Sequence, residues 1–220
     1  MNNLFTVIIN NRNLYTWPSK MYEKIKTLEG LKEIIIVDNN SNNYLVNEWY
    51  SKLNCKIVYL NKNVGHTAPW LKEILNLVTT DFYFVSDPDL EIDNLPKDSL
   101  FHLASILVKY PKYKKVGLEL DNPVHLINSE KFKDTYECEK FYHSLPILKK
   151  EFREAYVDTT FAVYNRNILS KYEVCGIRTV SPYSAKHLPW YDYEVNSIKS
   201  EYDFYINNAS SSSSIINSIK

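Results

Sequence analysis

Residues 81–93, DFYFVSDPDLEID, run from an apolar, aromatic segment (Phe82 to Val85) straight into carboxylates spaced one residue apart: Asp87, Asp89, Glu91 and Asp93. Like charges at that spacing repel, so the cluster costs free energy unless a cation or a hydrogen-bond donor sits among them. Two carboxylates one residue apart at a strand terminus can reach a Mg2+ or Mn2+ ion and leave coordination positions open for diphosphate oxygens. The chemistry that follows is metal-assisted departure of a phosphate leaving group, with the ion neutralising charge on the diphosphate so that the protein supplies no strong acid. Pro88 fixes φ between the two aspartates and stiffens the turn. Asp-x-Asp alone is a short pattern, and the elements that carry it decide its meaning.

Those elements alternate. Apolar, β-branched runs at 5–10, 33–38, 56–61, 81–87 and 115–120 predict strands. The segments between them (17–28, 42–53, 68–78 and 96–110) repeat apolar residues at three and four and predict helices. Pro18, Pro69 and Pro96 fall near helix starts, where a missing N–H is harmless. The pattern predicts an α/β fold in a single domain, with a mainly parallel, Rossmann-like sheet flanked by helices. The second half is less regular, with 157–165 its one clear strand.

In a parallel sheet the strand C-termini share one edge, and ligands bind there where strand order reverses. The first predicted strand leaves through Asn10-Asn11-Arg12-Asn13, the second through Asp38-Asn39-Asn40-Ser41, the third through Asn61 to His66, and the fourth through Asp87-Pro88-Asp89. Four polar exits converge on one rim. Loops after strands are polar in general, so for the Asn-rich pieces alone a turn role and a site role stand level.

Bulk properties narrow the partners. The 220 residues suit one sizeable domain, and 26 basic against 26 acidic side chains give no general attraction to nucleic acid or an anionic membrane. No stretch approaches the ~20 apolar residues of a membrane span, and the start lacks the basic and apolar regions of a signal peptide, so a cytoplasmic protein is expected. Cys55, Cys138 and Cys175, odd in number and widely spaced, suit neither a disulfide framework nor a zinc site and are expected reduced and mostly buried. Residues 207–220 are expected to form a flexible, low-complexity tail.

The segments VIINNRN, EIIIVDNNS, LNKNVGHTAPW and FVSDPDLEI resemble, in that order, the family-2 glycosyltransferases of the GT-A fold, with weaker similarity in VDTTFAVYNR and KHLPWY. The resemblance implies a metal-dependent, inverting enzyme. It would move a hexosyl or deoxyhexosyl group from a nucleotide-sugar to a hydroxyl of a glycan or glycoconjugate, with residues 1–93 binding the donor and 94–206 facing the acceptor. It further implies that Asp38 accepts from the nucleobase, that Asn10, Arg12 and Asn40 line the base and ribose pocket, and that Gly65 lets the ribose approach. Asp87 and Asp89 would hold ribose, metal and diphosphate. Asn10-Asn11 stand where a Pro-Thr or similar pair is frequent, which bears on the base; a UDP-sugar is the expected donor.

Further candidates carry two readings each. His187 is a third metal ligand or a half-buried histidine beside Trp190. His66 donates to a phosphate or begins a helix, and Trp70, Trp190 and Tyr191 stack on sugars or pack in the core. Inversion needs a carboxylate to deprotonate the acceptor hydroxyl; Asp158 leads, ahead of Asp192, Asp121 and Glu119, against a reading of Asp158 as a turn cap. Two binding-module alternatives remain. One is a noncatalytic nucleotide-sugar-binding relative. The other is a calcium loop over 87–98, which carries Ile92 where an EF-hand needs glycine.

Overall fold

The run from Phe5 to Asn11 is apolar on both faces of its pleat, the pattern of a strand covered on both sides. In the computed structural model, which describes residues 4–158, 160–167 and 175–209 (Cys175 by its backbone alone), it is strand β1 (Phe5–Asn11), buried at every position. Strands β2 (Leu31–Asp38) and β4 (Phe82–Ser86) flank it in parallel, and β3 (Lys56–Tyr59) adds to β2 in the same sense. Alternate side chains divide between two cores. Val7, Ile9, Ile34, Ile36 and Phe84 pack in one cluster, and Ile8, Ile35, Val37, Tyr83 and Val85 in the other.

The large sheet continues past β4 through β9 (Ala162–Asn165), β6 (Lys115–Gly117), β10 (Cys175–Thr179) and β8 (Phe152–Tyr156), in the order β3-β2-β1-β4-β9-β6-β10-β8. β9 and β8 run antiparallel to their neighbours and the rest share one direction. Strand order reverses between β1 and β4, because β2 and β3 build outward on one side and β4 returns to the other. Asn11 pairs with Asp38, and Ile9 with Ser86. The exits carrying Asp38 and Asp87 therefore lie on one edge, where sheets of this kind bind ligands.

The run 115–120 does not continue as one strand. Gly117 ends β6, where a Cβ would stand 2.3 Å from Val157 Cγ1, and the chain leaves the large sheet for β7 (Glu119–Leu120). A small second sheet forms there, β5 (Leu90–Glu91), β11 (Ser184–His187) and β7 in that order. This sheet positions the site, because β11 pairs antiparallel with β5 and sets His187 opposite Leu90.

Helix α1 (Thr16–Ile25) buries Trp17, Pro18, Met21, Tyr22 and Ile25, the three-to-four spacing of one face. α2 (Tyr44–Tyr50) starts at Asn43, whose side chain accepts from Leu45 N at 3.1 Å, an N-cap. The helix expected over 68–78 breaks into a 3-10 turn (Gly65–Trp70) and the short α3 (Lys72–Leu75), with Leu71 extended between them. Pro69 lies inside the turn and lacks the N–H a continuous helix requires. α4 (Ser99–Lys109) buries Leu100, Leu103, Ala104, Ile106 and Leu107 against the sheet. The later helices are α5 (Lys133–Ser144), α6 (Asp192–Ser197) and α7 (Lys199–Asn207).

Three expectations change. Within 157–165 only Ala162–Asn165 is strand, and Thr159 lies outside the described residues. Cys138 is exposed on α5, where the polar sequence gives it no core to enter, and Cys55 is half-buried; both are free thiols. Of the expected tail, Asn207 ends α7 and the Asn208 carbonyl accepts from Arg12, while Ser210 onward lies outside the described residues.

Candidate functional site

The exits of β1 and β2 are zipped together by side chain–backbone hydrogen bonds. Asn13, in the left-handed region at φ 56°, accepts from Asn42 N and Asn43 N at 2.8 and 3.2 Å and donates its own N–H to Ser41 Oγ at 2.9 Å. Asp38, 2% exposed, accepts from Ser41 N at 2.8 Å through Oδ1, closing an Asx turn. Its Oδ2 accepts from the Tyr50 hydroxyl at 2.9 Å, which in turn accepts from Asn11 Nδ2 at 2.9 Å. Burial, with Asp38 alongside, pushes Tyr50 ionisation far above the ordinary phenol range, so the hydroxyl stays a donor. Both Asp38 oxygens thus have internal partners.

The neighbouring Asn39 joins β2 to the 64–65 loop. Its Oδ1 accepts from Val64 N and its Nδ2 donates to Gly65 O, both at 2.8 Å. Asn10 Nδ2 reaches the same carbonyl at 3.4 Å, and Asn10 Oδ1 is buried with no hydrogen-bond partner among the described residues. Gly65 holds φ 73°, the conformation that turns its carbonyl toward both amides. Arg12 Nη1 donates to the carbonyls of Asn39 and Asn40, each at 2.7 Å, while Nε and Nη2 donate to Asn208 O at 3.3 and 3.0 Å. Burial lowers the Arg12 pKa, and Asp38 and Tyr205 oppose that shift. Asn40 and His66 stand exposed on the same rim.

A second cluster forms where β4 meets the small sheet. Asp89 is 5% exposed, its backbone carbonyl accepts from Leu188 N at 3.0 Å, and its Oδ2 lies 3.6 Å from His187 Nε2, beyond hydrogen-bond length. Asp89 Oδ1, His187 Nδ1 and the Tyr202 hydroxyl are all buried without a hydrogen-bond partner among the described residues. Burial pushes the Asp89 carboxyl up; the nearby His187 counters this, and the charge of Asp158 adds to it. Trp190, 7% exposed, packs edge-on against the His187 ring at 4.7 Å. Asp87 is half-buried, its carbonyl accepting from Ser86 Oγ at 2.9 Å, and Asp158 is exposed. The structure brings Asp89 and His187 together. Among the described residues it assembles no group of three or more His, Cys, Asp or Glu side chains disposed to hold a metal.

In the rest of the acidic run, the Glu91 carboxylate finds a protein cation and Asp93 offers a lysine its backbone carbonyl. Lys186 Nζ lies 3.3 Å from Glu91 and 3.0 Å from Glu194, and it also donates to the Tyr193 hydroxyl. Lys24 Nζ donates to the carbonyl of Asp93 at 2.7 Å. Residues 87–98 therefore follow a strand and contain β5, with Ile92 buried, which is not a helix–loop–helix calcium site. Among the other carboxylates, Glu119 is held by Arg153 and lies 3.5 Å from His143 Nδ1, and burial pushes its carboxyl up despite both. Burial also raises the Asp121 carboxyl, with Lys186 and His143 opposing, and Asp192 opens α6. Tyr191 stacks on His125 at 4.4 Å and Trp70 packs edge-on to Tyr164 at 5.5 Å.

Asn39 stands in the polar exit 38–41 without a role of its own in the sequence, and Tyr50 and Tyr202 carry no local signal of one. Tyr50 occupies the buried face of a predicted helix. Tyr202 lies more than a hundred residues from Asp89, and no local pattern ties the two.

No protein-family model matches the chain, and no curated protein sequence matches it. Solved structures do. Glucosyl-3-phosphoglycerate synthase from Mycobacterium tuberculosis, in complex with Mn2+, UDP and phosphoglyceric acid, is 13% identical with a TM-score of 0.50, over 76% of this chain and 57% of that one. A mannosyltransferase from Pyrobaculum calidifontis, in complex with GDP-Man and Mn2+, is 18% identical with a TM-score of 0.48, over 75% and 45%. TarS of S. aureus is 14% identical with a TM-score of 0.49, over 98% and 41%. The chain spans about half the length of these structures. No helix among the described residues is long and apolar enough to cross a membrane. The fold, a large and mainly parallel sheet flanked by helices, is of the GT-A type found in nucleotide-sugar enzymes.

Proposed function

We propose that the protein is a metal-dependent, inverting glycosyltransferase of the family-2 kind. It takes a sugar from a nucleotide-sugar, a UDP-sugar by preference, and places it on a hydroxyl of a glycan or glycoconjugate. The observation that carries this reading is the buried pair Asp89 and His187, 3.6 Å apart, with Asp89 Oδ1 left unpartnered among the described residues on the edge where strand order reverses. A carboxylate at 5% exposure with an orphaned oxygen is expensive, and a cation there would offset the cost. The carboxylate suits Mn2+ and Mg2+ alike, and the imidazole beside it can complete the shell of a transition ion such as Mn2+.

In this reading Asp89 and His187 hold the ion, with Asp87 toward the ribose and diphosphate. When bound, the ion would neutralise charge on the departing diphosphate. The corner built from Asn10, Arg12, Asn39, Asn40 and Gly65 receives base and ribose, with Asp38 bracing it from behind through Ser41 and Tyr50, and His66 stands at the phosphates. Asp158 takes the proton of the acceptor hydroxyl as that oxygen bonds to the anomeric carbon. The bond to the diphosphate oxygen breaks, and its electron pair leaves with the nucleoside diphosphate. Residues 1–93 then form most of the donor half, and 94–206 supply His187 to it and face the acceptor.

Thermal denaturation against UDP, GDP and CDP, with and without Mn2+, tests the reading. A nucleotide at one hundred times its Kd stabilises by ~2.7 kcal/mol, or roughly 5–11 °C for a chain of this size. That rise is expected only with nucleotide and metal together; no rise with both, or a rise with Ca2+ alone, rejects the reading. A noncatalytic relative has one observation in its favour, the lack of a three-residue metal-binding group among the described residues. It would bind nucleotide-sugars without releasing nucleoside diphosphate over hours.

A further inference from the structure

The hydroxyl of Tyr202 is a buried polar group that makes no hydrogen bond among the described residues. Its ring is 4% exposed and packs in an apolar cluster with Leu14, Trp17, Leu188 and Ile198, the Trp17 ring centroid lying 5.7 Å away. The ring is thus fixed from several sides, while the oxygen has no hydrogen-bond partner among the described residues. Phenylalanine would fill the same cluster without stranding a hydroxyl, which costs about 1–3 kcal/mol when buried unpartnered. Leu188 also fixes where the ring stands: it follows His187 directly and donates its N–H to the Asp89 carbonyl at 3.0 Å.

We infer that Tyr202 is a donor-site residue whose hydroxyl donates a hydrogen bond to a phosphate oxygen of the nucleotide held beside Asp89 and His187. This rests on the reading of that pair as a metal and diphosphate site, and deepens it by adding a ligand contact from α7. Two orphaned groups, Asp89 Oδ1 on the β4–β5 turn and His187 Nδ1 on β11, belong to side chains 3.6 Å apart, and the orphaned Tyr202 on α7 packs in one cluster with Leu188, the residue after His187. The electrostatics agree: burial first, then the charge of Asp89, raise the ionisation of Tyr202 far above neutral pH, so it acts only as a neutral donor. A bound phosphate supplies the acceptor that the hydroxyl does not find among the described residues. An O–H to a charged oxygen is worth about twice a neutral hydrogen bond.

The test is Tyr202→Phe, read by denaturation of the ligand-free protein and by titration with UDP and GDP in the presence of MnCl2. The expected result is an unchanged or slightly higher Tm without ligand and a Kd at least tenfold weaker, the loss of one hydrogen bond to a charged group. An unchanged Kd overturns the inference. So does a Kd that weakens only together with a lower ligand-free Tm, because the hydroxyl would then be a core contact. A wild-type protein that binds neither nucleotide with Mn2+ overturns the metal–diphosphate reading itself, an outcome distinct from a wild type that binds and a variant that binds equally well.

Discussion

Asp89→Asn separates a metal ligand from a structural carboxylate more sharply than any other single change. The substitution keeps size and shape and removes one charge. In the ligand-free protein that charge sits at 5% exposure with Oδ1 unpartnered among the described residues, and burial has pushed its carboxyl up, so the ionised form is a burden on the fold. An unsatisfied buried polar atom costs about 1–3 kcal/mol. The amide still buries polar atoms and His187 offsets part of the charge, so a gain near the lower end, ~1 kcal/mol, is expected. For this chain length that is a Tm about 2–4 °C above wild type at pH 8 without metal. With Mn2+ and UDP the order reverses, the wild type gaining the ligand-dependent rise and the variant losing most of it. Differential scanning fluorimetry in four conditions, with neither, either or both ligands, reads the whole pattern. An Asn variant less stable than wild type without metal and equally responsive to Mn2+ would show Asp89 to be a fixed partner of His187, and the reasoning would be wrong.

Three further outcomes are expected. Asp158→Asn should lower transfer to the acceptor by ~10²–10⁴ while nucleotide binding by titration stays at the wild-type value; a matching loss of binding would place Asp158 on the donor side. Glu201→Gln should lower the Tm by roughly 2–10 °C, because the buried Glu201 carboxylate accepts from Tyr15 N, Thr16 N and Thr16 Oγ1 at 2.6, 2.9 and 2.6 Å and so stands in for the N-cap that α1 lacks; no change in Tm would remove that role. Cys138 should alkylate quickly at pH 8 and Cys55 slowly, since burial pushes the Cys55 thiol up to about 11 and leaves only ~0.1% thiolate there, and the Cys55 rate should climb tenfold per pH unit up to that value; equal rates by mass spectrometry refute this.

How much of this was legible depended on whether the signal was local. β1, β2 and β4 are near-continuous apolar runs, and a strand covered on both faces writes itself that way, so their existence, direction and shared edge followed from the sequence. The second half resisted. β8 is an edge strand of mixed burial, and β5, β7 and β11 are two to four residues long, too short for any period to register. The split of 115–120 depends on Val157 arriving against Gly117, a contact across forty residues. Within the site, the aspartates were visible because spaced charges conflict, whereas the use of each was not. Glu91 belongs to Lys186, and Asp38 spends its oxygens on Ser41 and Tyr50, pairings that only the folded chain defines.

The helix α7 shows the same dependence from the other end of the chain. On its first turns Glu201 caps α1 while its neighbour Tyr202 lies buried by Leu188 and within the field of Asp89. Past its end, the Asn208 carbonyl takes two N–H groups of Arg12, whose third donor nitrogen holds the carbonyls of Asn39 and Asn40. One short helix and the residue after it thus join the β1 exit, through Arg12 the β2 exit, and Leu188, whose N–H donates to the Asp89 carbonyl; the sheet alone leaves these as separate loops. Hydrogen bonds to charged groups contribute about 1.5–3 kcal/mol each, and here Glu201 and Arg12 both supply such bonds. The corner around Gly65 and the pair Asp89 and His187 are therefore held in register by a segment whose own sequence, polar and of weak period, announced neither.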